Sequence, residues 1–349
     1  MAKKSICIIF GGVSSEHDVS VMSVRTVLQN IDRDKFDVTT IGITKSGEWH
    51  LFEGELPCDD WLEKSPVKAI ISPDRSDKAI LKFTDTGVEK IHIDAVYPVL
   101  HGKNGEDGTL QGLCAMAGIP CIGSGVIGSA VCMDKCVAKV LFKNAGIPVT
   151  DWVELRRGSA PDFDEIEEKL GYPCFIKPSN AGSSVGITKA YNRKELQDGI
   201  DLAFEHDYKV LIEEAINPRE IESSVRGNYA PEIAENLGEI KPAKDFYDFE
   251  AKYEDENSDL IIPAPIDDKT KATIKDYAIR AYKAAECRGF ARVDFLVSRD
   301  DGKIYLNEIN TLPGFTSISM YPKLWADSGV SVKDTITRHI ELALELGVE

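Results

Sequence analysis

Apolar and polar positions follow two alternating periods along the first third of the chain. SICIIF (5–10) is an unbroken apolar run of strand length, whereas VSVMSVRTVLQNI (19–31) carries its apolar residues at helical spacing. KFDVTTIGIT (35–44) predicts a second strand and IHIDAVYPVL (91–100) a buried one. TLQGLCAMAGI (109–119) then predicts a helix and PCIGS (120–124) a short strand. Strands alternating with helices imply an α/β layer with parallel pairing. The turn after the first strand, GGVSSE, lacks the G-x-G-x-x-G dinucleotide fingerprint.

The pattern changes near residue 124. SAVCMDKCVAKVLFKNAG (129–146) predicts one helix, closed by Gly146 and Pro148. CFIKP and GITKA are strands joined by the loop SNAGSSV. ELQDGIDLAFEH is an amphipathic helix and KVLIEEAI (209–216) a strand. A long polar segment (241–259), a helix over 270–288 and a final helix over 332–346 follow. These shifts divide the chain into units at 1–123, 124–214 and 215–349, as its 349 residues exceed one ordinary core.

The densest chemistry lies in ARVDFLVSRDDGKIYLNEINTLPG (291–314). Two apolar runs flank an Asp-Asp-Gly turn, a hairpin signal. Residues two apart share a strand face, so Arg292 stands beside Asp294, and Glu308 beside Asn310. A guanidinium, two carboxylates and an amide oxygen thus meet on one patch. Hard oxygen ligands of this kind suit Mg²⁺ shared with phosphates. A solvated hairpin with surface charges is the competing account.

Other segments carry weaker signals. The loop 179–186 can offer backbone N–H groups to phosphate oxygens, but lacks G-K-[ST] and also fits a plain hairpin loop. Lys177 precedes it, and Lys135 lies in the M-D-K helix; together they can neutralise a polyphosphate. KVLIEEAINPRE reads as a strand entering a connector, a common place for a cleft. There Glu213 can accept from an adenine amino group, the backbone of Glu214 to Ile216 can pair with a ring edge, and Glu220 can take ribose hydroxyls. An exposed acidic edge is the alternative. Glu16 complements a helix dipole, or holds a substrate ammonium at the carboxyl end of a parallel strand. His101 opens a Gly-rich loop at the end of another strand of the same layer.

Charge and cysteine usage exclude several classes. A net charge of −17 opposes nucleic acid and anionic membranes as main partners. No apolar run reaches the length of a membrane span, and the N-terminal apolar run is too short for a signal peptide. The eight cysteines contain no C-x-x-C pair. Cys132 and Cys136 share a helix face without an accompanying histidine, so buried free thiols in a reducing cytosol are expected.

Taken together, FGGVSSEHDVS, VLHGKNGEDGTLQG, GSGVIGSAVCMDK, FIKPSNAGSSVG, VLIEEAI, FYDFEAKY, ARVDF and LNEINTLPGFTSISMYPKLW resemble the D-alanine–D-alanine ligases of the ATP-grasp superfamily, in order and over nearly the whole chain. The resemblance implies an α/β, partly α+β, three-domain ATP-grasp fold with an open parallel sheet in its N-terminal domain. It implies ATP-dependent joining of two D-alanines, by way of a D-alanyl phosphate, for peptidoglycan precursors. Glu16 would bind the ammonium of the first D-alanine, with His101 near its carboxylate. Lys135 and Lys177 would contact the ATP phosphates, with the Ser183–Ser184 loop folding over them. Glu213, Glu214, Ile216 and Glu220 would hold adenine and ribose. Asp294, Glu308 and Asn310 would bind two Mg²⁺ ions, with Mn²⁺ and a monovalent cation as further possibilities. Arg292 and the Gly314 N–H would stabilise the oxyanion, and Ser319 would take the second D-alanine's carboxylate. Lys252 and Tyr253 would lie on a mobile loop, Tyr253 joining Ser183 and Glu16. A cytoplasmic homodimer is the family expectation.

Within that resemblance, Tyr253 and Met320 favour D-alanine over D-lactate and D-serine as second substrate, while Ile318 stands where some members carry histidine. Glu16, Tyr253 and Ser319 argue against an ATP-grasp ligase with another acceptor. Intact Arg292 and metal positions argue against a nucleotide-binding protein without catalysis.

Overall fold

The computed structural model describes residues 2–58, 60–182, 185–241 and 259–348. The first stretch contains β1 (Lys4–Gly11), α1 (His17–Asn30), β2 (Phe36–Ile43), β3 (Trp49–Phe52), β4 (Ala69–Ile71), β5 (Ala79–Thr84), β6 (Gly87–His92), β7 (Ala95–Val99) and α2 (Thr109–Ala117). One sheet runs β3-β2-β1-β7, with β1 parallel to both β2 and β7 and β3 antiparallel at the edge. The unbroken apolar run of β1 follows from burial on two faces. Ile6, Ile8 and Phe10 pack with Val24 and Leu28 of α1, whereas Cys7 and Ile9 pack with Leu110 and Cys114 of α2.

Two expectations for this region change. IHIDAVYPVL is not one strand: it spans the end of β6 and then β7, broken at Asp94, whose carboxylate accepts from the Ser5 N–H at 2.8 Å. β6 belongs to a separate antiparallel sheet, β4-β5-β6. PCIGS is not a strand either. It contributes one parallel bridge, Val96 to Cys121, before Gly123 turns the chain with a φ of 117°.

The middle stretch contains α3 (Val126–Met133), α4 (Lys135–Asn144), β8 (Trp152–Arg156), α5 (Phe163–Leu170), β9 (Cys174–Pro178), β10 (Thr188–Ala190), α6 (Arg193–His206) and β11 (Lys209–Glu214). Its strands form the antiparallel sheet β10-β9-β11-β8 over a core of Ile166, Ile176, Leu196, Ile200 and Ile212. The single helix expected over 129–146 is two helices. Asp134 adopts an extended conformation (φ −87°, ψ 97°) and caps α4, accepting from the Val137 N–H. Its carboxylate also accepts from Ser179 Oγ at 2.8 Å and pairs with Lys209. α3 and α4 pack into the core of the last unit, where Cys132, Ala138 and Phe142 meet Tyr282 and Val293.

The last stretch holds β12 (Pro218–Arg226), β13 (Glu232–Ile233), β14 (Gly238–Lys241), β15 (Asp259–Ile261), α7 (Asp268–Ala284), β16 (Phe290–Ser298), β17 (Ile304–Asn310), α8 (Met320–Asp327) and α9 (Val332–Leu346). Its sheet is antiparallel, ordered β15-β14-β12-β16-β17, with β13 beside β12. The N-terminal sheet and this unit share one core: Ile6 and Tyr97 cluster with Trp325, Ile336 and Ile340. Within it the buried imidazole of His339 bonds the hydroxyls of Tyr97 and Tyr321, each at 2.9 Å, and stacks on Phe290.

All eight cysteines are free, and six are buried. No described helix is long and apolar enough to cross a membrane.

Candidate active site

The expected hairpin forms as β16 and β17, with Arg292 opposite Asn310 and Asp294 opposite Glu308. A bulge follows: Phe295 pairs with Leu306, so Asn307 is an extra residue on β17. The extra residue resets the alternation of β17. Leu306 and Ile309, three apart, both enter the core, while Glu308 and Asn310 stay half-buried with Arg292. The Arg292 guanidinium grips Asp294 with two bonds of 2.8 Å and lies 3.1 Å from Glu222 on β12. Asn310 donates its amide nitrogen to Asp294 at 2.8 Å, keeping its carbonyl oxygen for another partner.

Two carboxylates and an amide oxygen fit a hard divalent cation. Among the described residues no group of three or more His, Cys, Asp or Glu side chains is arranged as a metal site. The set Asp294, Glu308 and Asn310 therefore suits a cation that completes its shell with phosphate oxygens and water.

Lysines from the middle unit reach this patch. Lys135, the first residue of α4, donates to the Ala181 carbonyl at 2.8 Å and lies 3.7 Å from Glu308. Its placement follows from the Asp134 break, which also lets the Lys135 N–H donate to the Ser179 carbonyl. Lys177, on β9, pairs with Glu213 of the neighbouring β11. A second lysine, Lys139, lies 3.0 Å from Glu213, and Thr150 donates its hydroxyl to the same carboxylate. Burial alone would raise the Glu213 carboxyl; Lys177 and Lys139 outweigh it and hold the group well below the usual range. Glu214 accepts from the Asp151 N–H at 2.9 Å, Ile216 follows in the connector to β12, and Glu220 lies on β12 opposite Leu296.

The N-terminal unit closes the other side. Glu16 stands at the N-cap position of α1 and is buried, and its carboxylate fits between two glycines. A Cβ on Gly182 would fall 2.6 Å from it, and one on Gly102 would also collide. Gly102 has a φ of 66°, which itself favours glycine. His101 is buried, donates from Nδ1 to the Leu312 carbonyl at 3.0 Å and bonds Ser23 Oγ through Nε2 at 3.0 Å. The Leu312 carbonyl requires a proton on Nδ1, and burial pushes the His101 pKa down despite nearby Glu16, which favours the neutral ring.

Beyond β17, the segment LPGF carries Gly314. A Cβ there would sit 2.9 Å from Ser319 Oγ, so Gly314 and Ser319 adjoin. Ser319 stands at the N-cap position of α8, and its hydroxyl accepts from the Thr316 N–H at 3.0 Å. Met320, the next residue, has its side chain buried in the core against Gly238, whereas Ile318 is exposed. Ser183, Ser184, Lys252 and Tyr253 lie outside the described residues.

Two residues in the site went unmarked in the sequence. Lys139 reads there as a surface lysine of an amphipathic helix, and only the fold shows it beside Glu213. Glu106 lies within the noted HGKNGEDG loop, where an acid among glycines is the available signal. It is half-buried and accepts from the N–H groups of Gly102 (2.8 Å) and Leu312 (3.0 Å). Desolvation of its carboxyl, helped by Glu16, pushes the pKa up to about 8.

The family model described as "D-ala D-ala ligase N-terminus" matches residues 5–124, and that for the "D-ala D-ala ligase C-terminus" matches residues 141–341. The chain is 48% identical over 352 residues to a D-alanine–D-alanine ligase of Thermoanaerobacter sp. (strain X514), covering 99% of this chain and 98% of that one. It is 49% identical over 349 residues to one from Clostridium acetobutylicum, covering 98% of each. Among solved structures, it resembles the VanG D-Ala:D-Ser ligase of Enterococcus faecalis, with TM-score 0.89, 42% identity and coverage of 98% and 100% of the two chains. The D-alanine-D-alanine ligase from Coxiella burnetii matches with TM-score 0.83, 32% identity and coverage of 99% and 96%.

Proposed function

The chain belongs to the D-alanine–D-alanine ligase family, and we propose on that premise how its residues divide the reaction. It is an ATP-grasp enzyme that uses ATP and a divalent metal to join two D-alanines for peptidoglycan precursor synthesis. In our reading the first D-alanine binds with its ammonium on Glu16 and its carboxylate beside His101. That carboxylate attacks the γ-phosphorus of ATP, the bond to ADP breaks, and an acyl phosphate forms. The amine of the second D-alanine, its carboxylate held at Ser319, then attacks the carbonyl carbon. Phosphate leaves through a tetrahedral intermediate whose oxyanion faces Arg292 and the Gly314 N–H. Lys135 and Lys177 bind the phosphates, with the Ser183–Ser184 loop folding over them and Lys252 as a further nucleotide contact. Glu213, Glu214, Ile216 and Glu220 receive adenine and ribose. Asp294, Glu308 and Asn310 would hold two Mg²⁺ ions, or Mn²⁺, which supply charge neutralisation at the transferring phosphoryl group. Tyr253 would join Ser183 and Glu16 in a network, and a loop that closes would exclude the water that otherwise hydrolyses the acyl phosphate.

The observation that carries this reading is the approach of Lys135 to Glu308, at 3.7 Å. It brings a phosphate-type cation of the middle unit to a metal-type carboxylate of the last one. The division at 1–123, 124–214 and 215–349, a homodimer and a cytoplasmic location complete the proposal. The test is phosphate release from Mg-ATP with D-alanine alone, then with added D-serine or D-lactate, with products identified by mass. Rapid D-alanyl-D-alanine formation supports the reading. The similarity to a D-Ala:D-Ser ligase favours one second reading, the same chemistry with D-serine as acceptor. A dominant D-alanyl-D-serine product would establish it, and absence of either dipeptide would overturn both.

A further inference from the structure

The geometry points to Glu106 as a positioning residue for the ligation step, one that clamps the Leu312 peptide so that the Gly314 N–H is aimed at the reacting carbonyl. Glu106 uses both carboxyl oxygens. Oε1 accepts from the Leu312 N–H at 3.0 Å and Oε2 from the Gly102 N–H at 2.8 Å. The Leu312 carbonyl accepts from His101 Nδ1 at 3.0 Å. The N–H and the carbonyl of one residue, beyond the end of β17, are thus held by two side chains more than 200 residues earlier. On the far side of Gly314 the Phe315 N–H points to Ser23 Oγ at 3.5 Å, and that hydroxyl also bonds His101. Only Pro313 separates Leu312 from Gly314, and its ring fixes φ, so the orientation of the clamped peptide carries forward.

Nothing in the proposed chemistry requires Glu106 to touch substrate. Its two backbone partners explain why an ionisable group stands in this loop. As a carboxylate the group accepts on two oxygens at once, and the two N–H bonds favour that form against the burial and the Glu16 charge that raise its pKa, whereas an amide offers one acceptor and turns an NH₂ toward a backbone N–H. The rest of the loop braces it, as Gln111 donates to the Gly105 carbonyl at 2.7 Å. The first-substrate residues Glu16 and His101 and the oxyanion donor Gly314 are then gathered around one clamped segment.

The inference rests on the assignment of Gly314 as an oxyanion donor, and the experiment separates the two. Glu106→Gln is assayed for dipeptide, for phosphate and for the thermal shift caused by ATP. The expected result is a dipeptide rate lowered on the order of ten- to a hundredfold, as for a lost oxyanion donor or an unsatisfied amide in a desolvated site. The ATP-induced shift should stay intact, and more phosphate should be released per dipeptide. A merely structural role would lower the melting temperature and leave that ratio unchanged, which would overturn the inference. Arg292→Ala runs beside it: if that variant keeps near-normal turnover, the oxyanion reading fails; if it is inactive while Glu106→Gln is normal, only the clamp fails. Hydrogen exchange of the wild-type protein needs no variant. A slowly exchanging Leu312 amide is expected, and exchange at the rate of an open loop would overturn the clamp.

Discussion

The ammonium of Lys139 lies 3.0 Å from the carboxylate of Glu213, and both side chains are buried, with exposures of 4% and 5%. Glu213 therefore holds two cations, Lys139 and Lys177, only one of which is assigned to phosphate. In Lys139→Met the carboxylate keeps Lys177 alone. Breaking a buried pair costs about 3 kcal/mol, the lower part of the range because one partner remains. Lys177 is then committed to Glu213, so the KM for ATP should rise about tenfold, or about 1.4 kcal/mol. Urea unfolding and steady-state kinetics check the two halves; an unchanged KM would detach Lys139 from nucleotide binding.

Gly102→Ala tests the seat of the first substrate. The added methyl group meets the Glu16 carboxylate and must adopt a φ of 66°. The backbone cost is about 1 kcal/mol. The expected outcome is a KM for the first D-alanine raised by about tenfold, in line with a displaced charged partner. Affinity for ATP, bound by the other two units, should be kept. Equal losses for both ligands would show a general collapse instead.

The break between α3 and α4 makes Asp134 a third target. Asp134→Ala removes the cap of α4 and the carboxylate that holds Lys209 and Ser179. Loss of a cap costs about 1 kcal/mol and loss of the pair adds to it. Because Lys135 is the next residue, the KM for ATP should rise with the fall in stability. A variant that loses stability but keeps its ATP kinetics would show that the break does not place Lys135.

The stability of the protein should fall on mild acidification. Burial holds His339 far below its ordinary pKa of 6.5, so it is neutral when folded. The unfolded chain takes up this proton below about pH 6.5, and stability is lost as the pH falls from there, by up to about 1.4 kcal/mol per pH unit. His101, also lowered by burial, acts in the same direction. Glu106 acts oppositely, since its raised carboxyl favours the fold less as pH climbs from 4.5 toward about 8. His339→Gln should flatten the acid slope relative to wild type, read as melting temperature between about pH 6.5 and about pH 5. Parallel profiles for the two proteins would remove His339 from the linkage.

The hairpin is legible in the sequence because its signals are local: a turn between apolar runs, and polar residues at a spacing of two. The continuous core of β1 is legible for the same reason. The break at Asp134 is not: aspartate is an N-cap residue type, but within one continuous helical pattern that signal does not decide a break, and the Lys209 and Ser179 that hold it come from elsewhere. The sheet β4-β5-β6 escapes notice because Phe83 and Val88 are exposed, so its strands lack a clean apolar face. Lys139 and Glu106 are invisible as site residues because the partners that give each its role come together only in the assembled units.

The bulge at Asn307 gives the site a dependence on arithmetic. One supernumerary residue lets Leu306 and Ile309 both face inward while Glu308 and Asn310 face Arg292. Were Asn307 taken up in a regular strand instead, Glu308 and Asn310 would turn toward hydrocarbon, whereas deleting it would leave Leu306 and Ile309 inward and both candidate ligands outward by plain alternation. Over evolutionary time position 307 is therefore open both to changes of spelling and to loss, and what a graft onto another sheet must carry is the pairing of Asp294 with Glu308 and of Phe295 with Leu306.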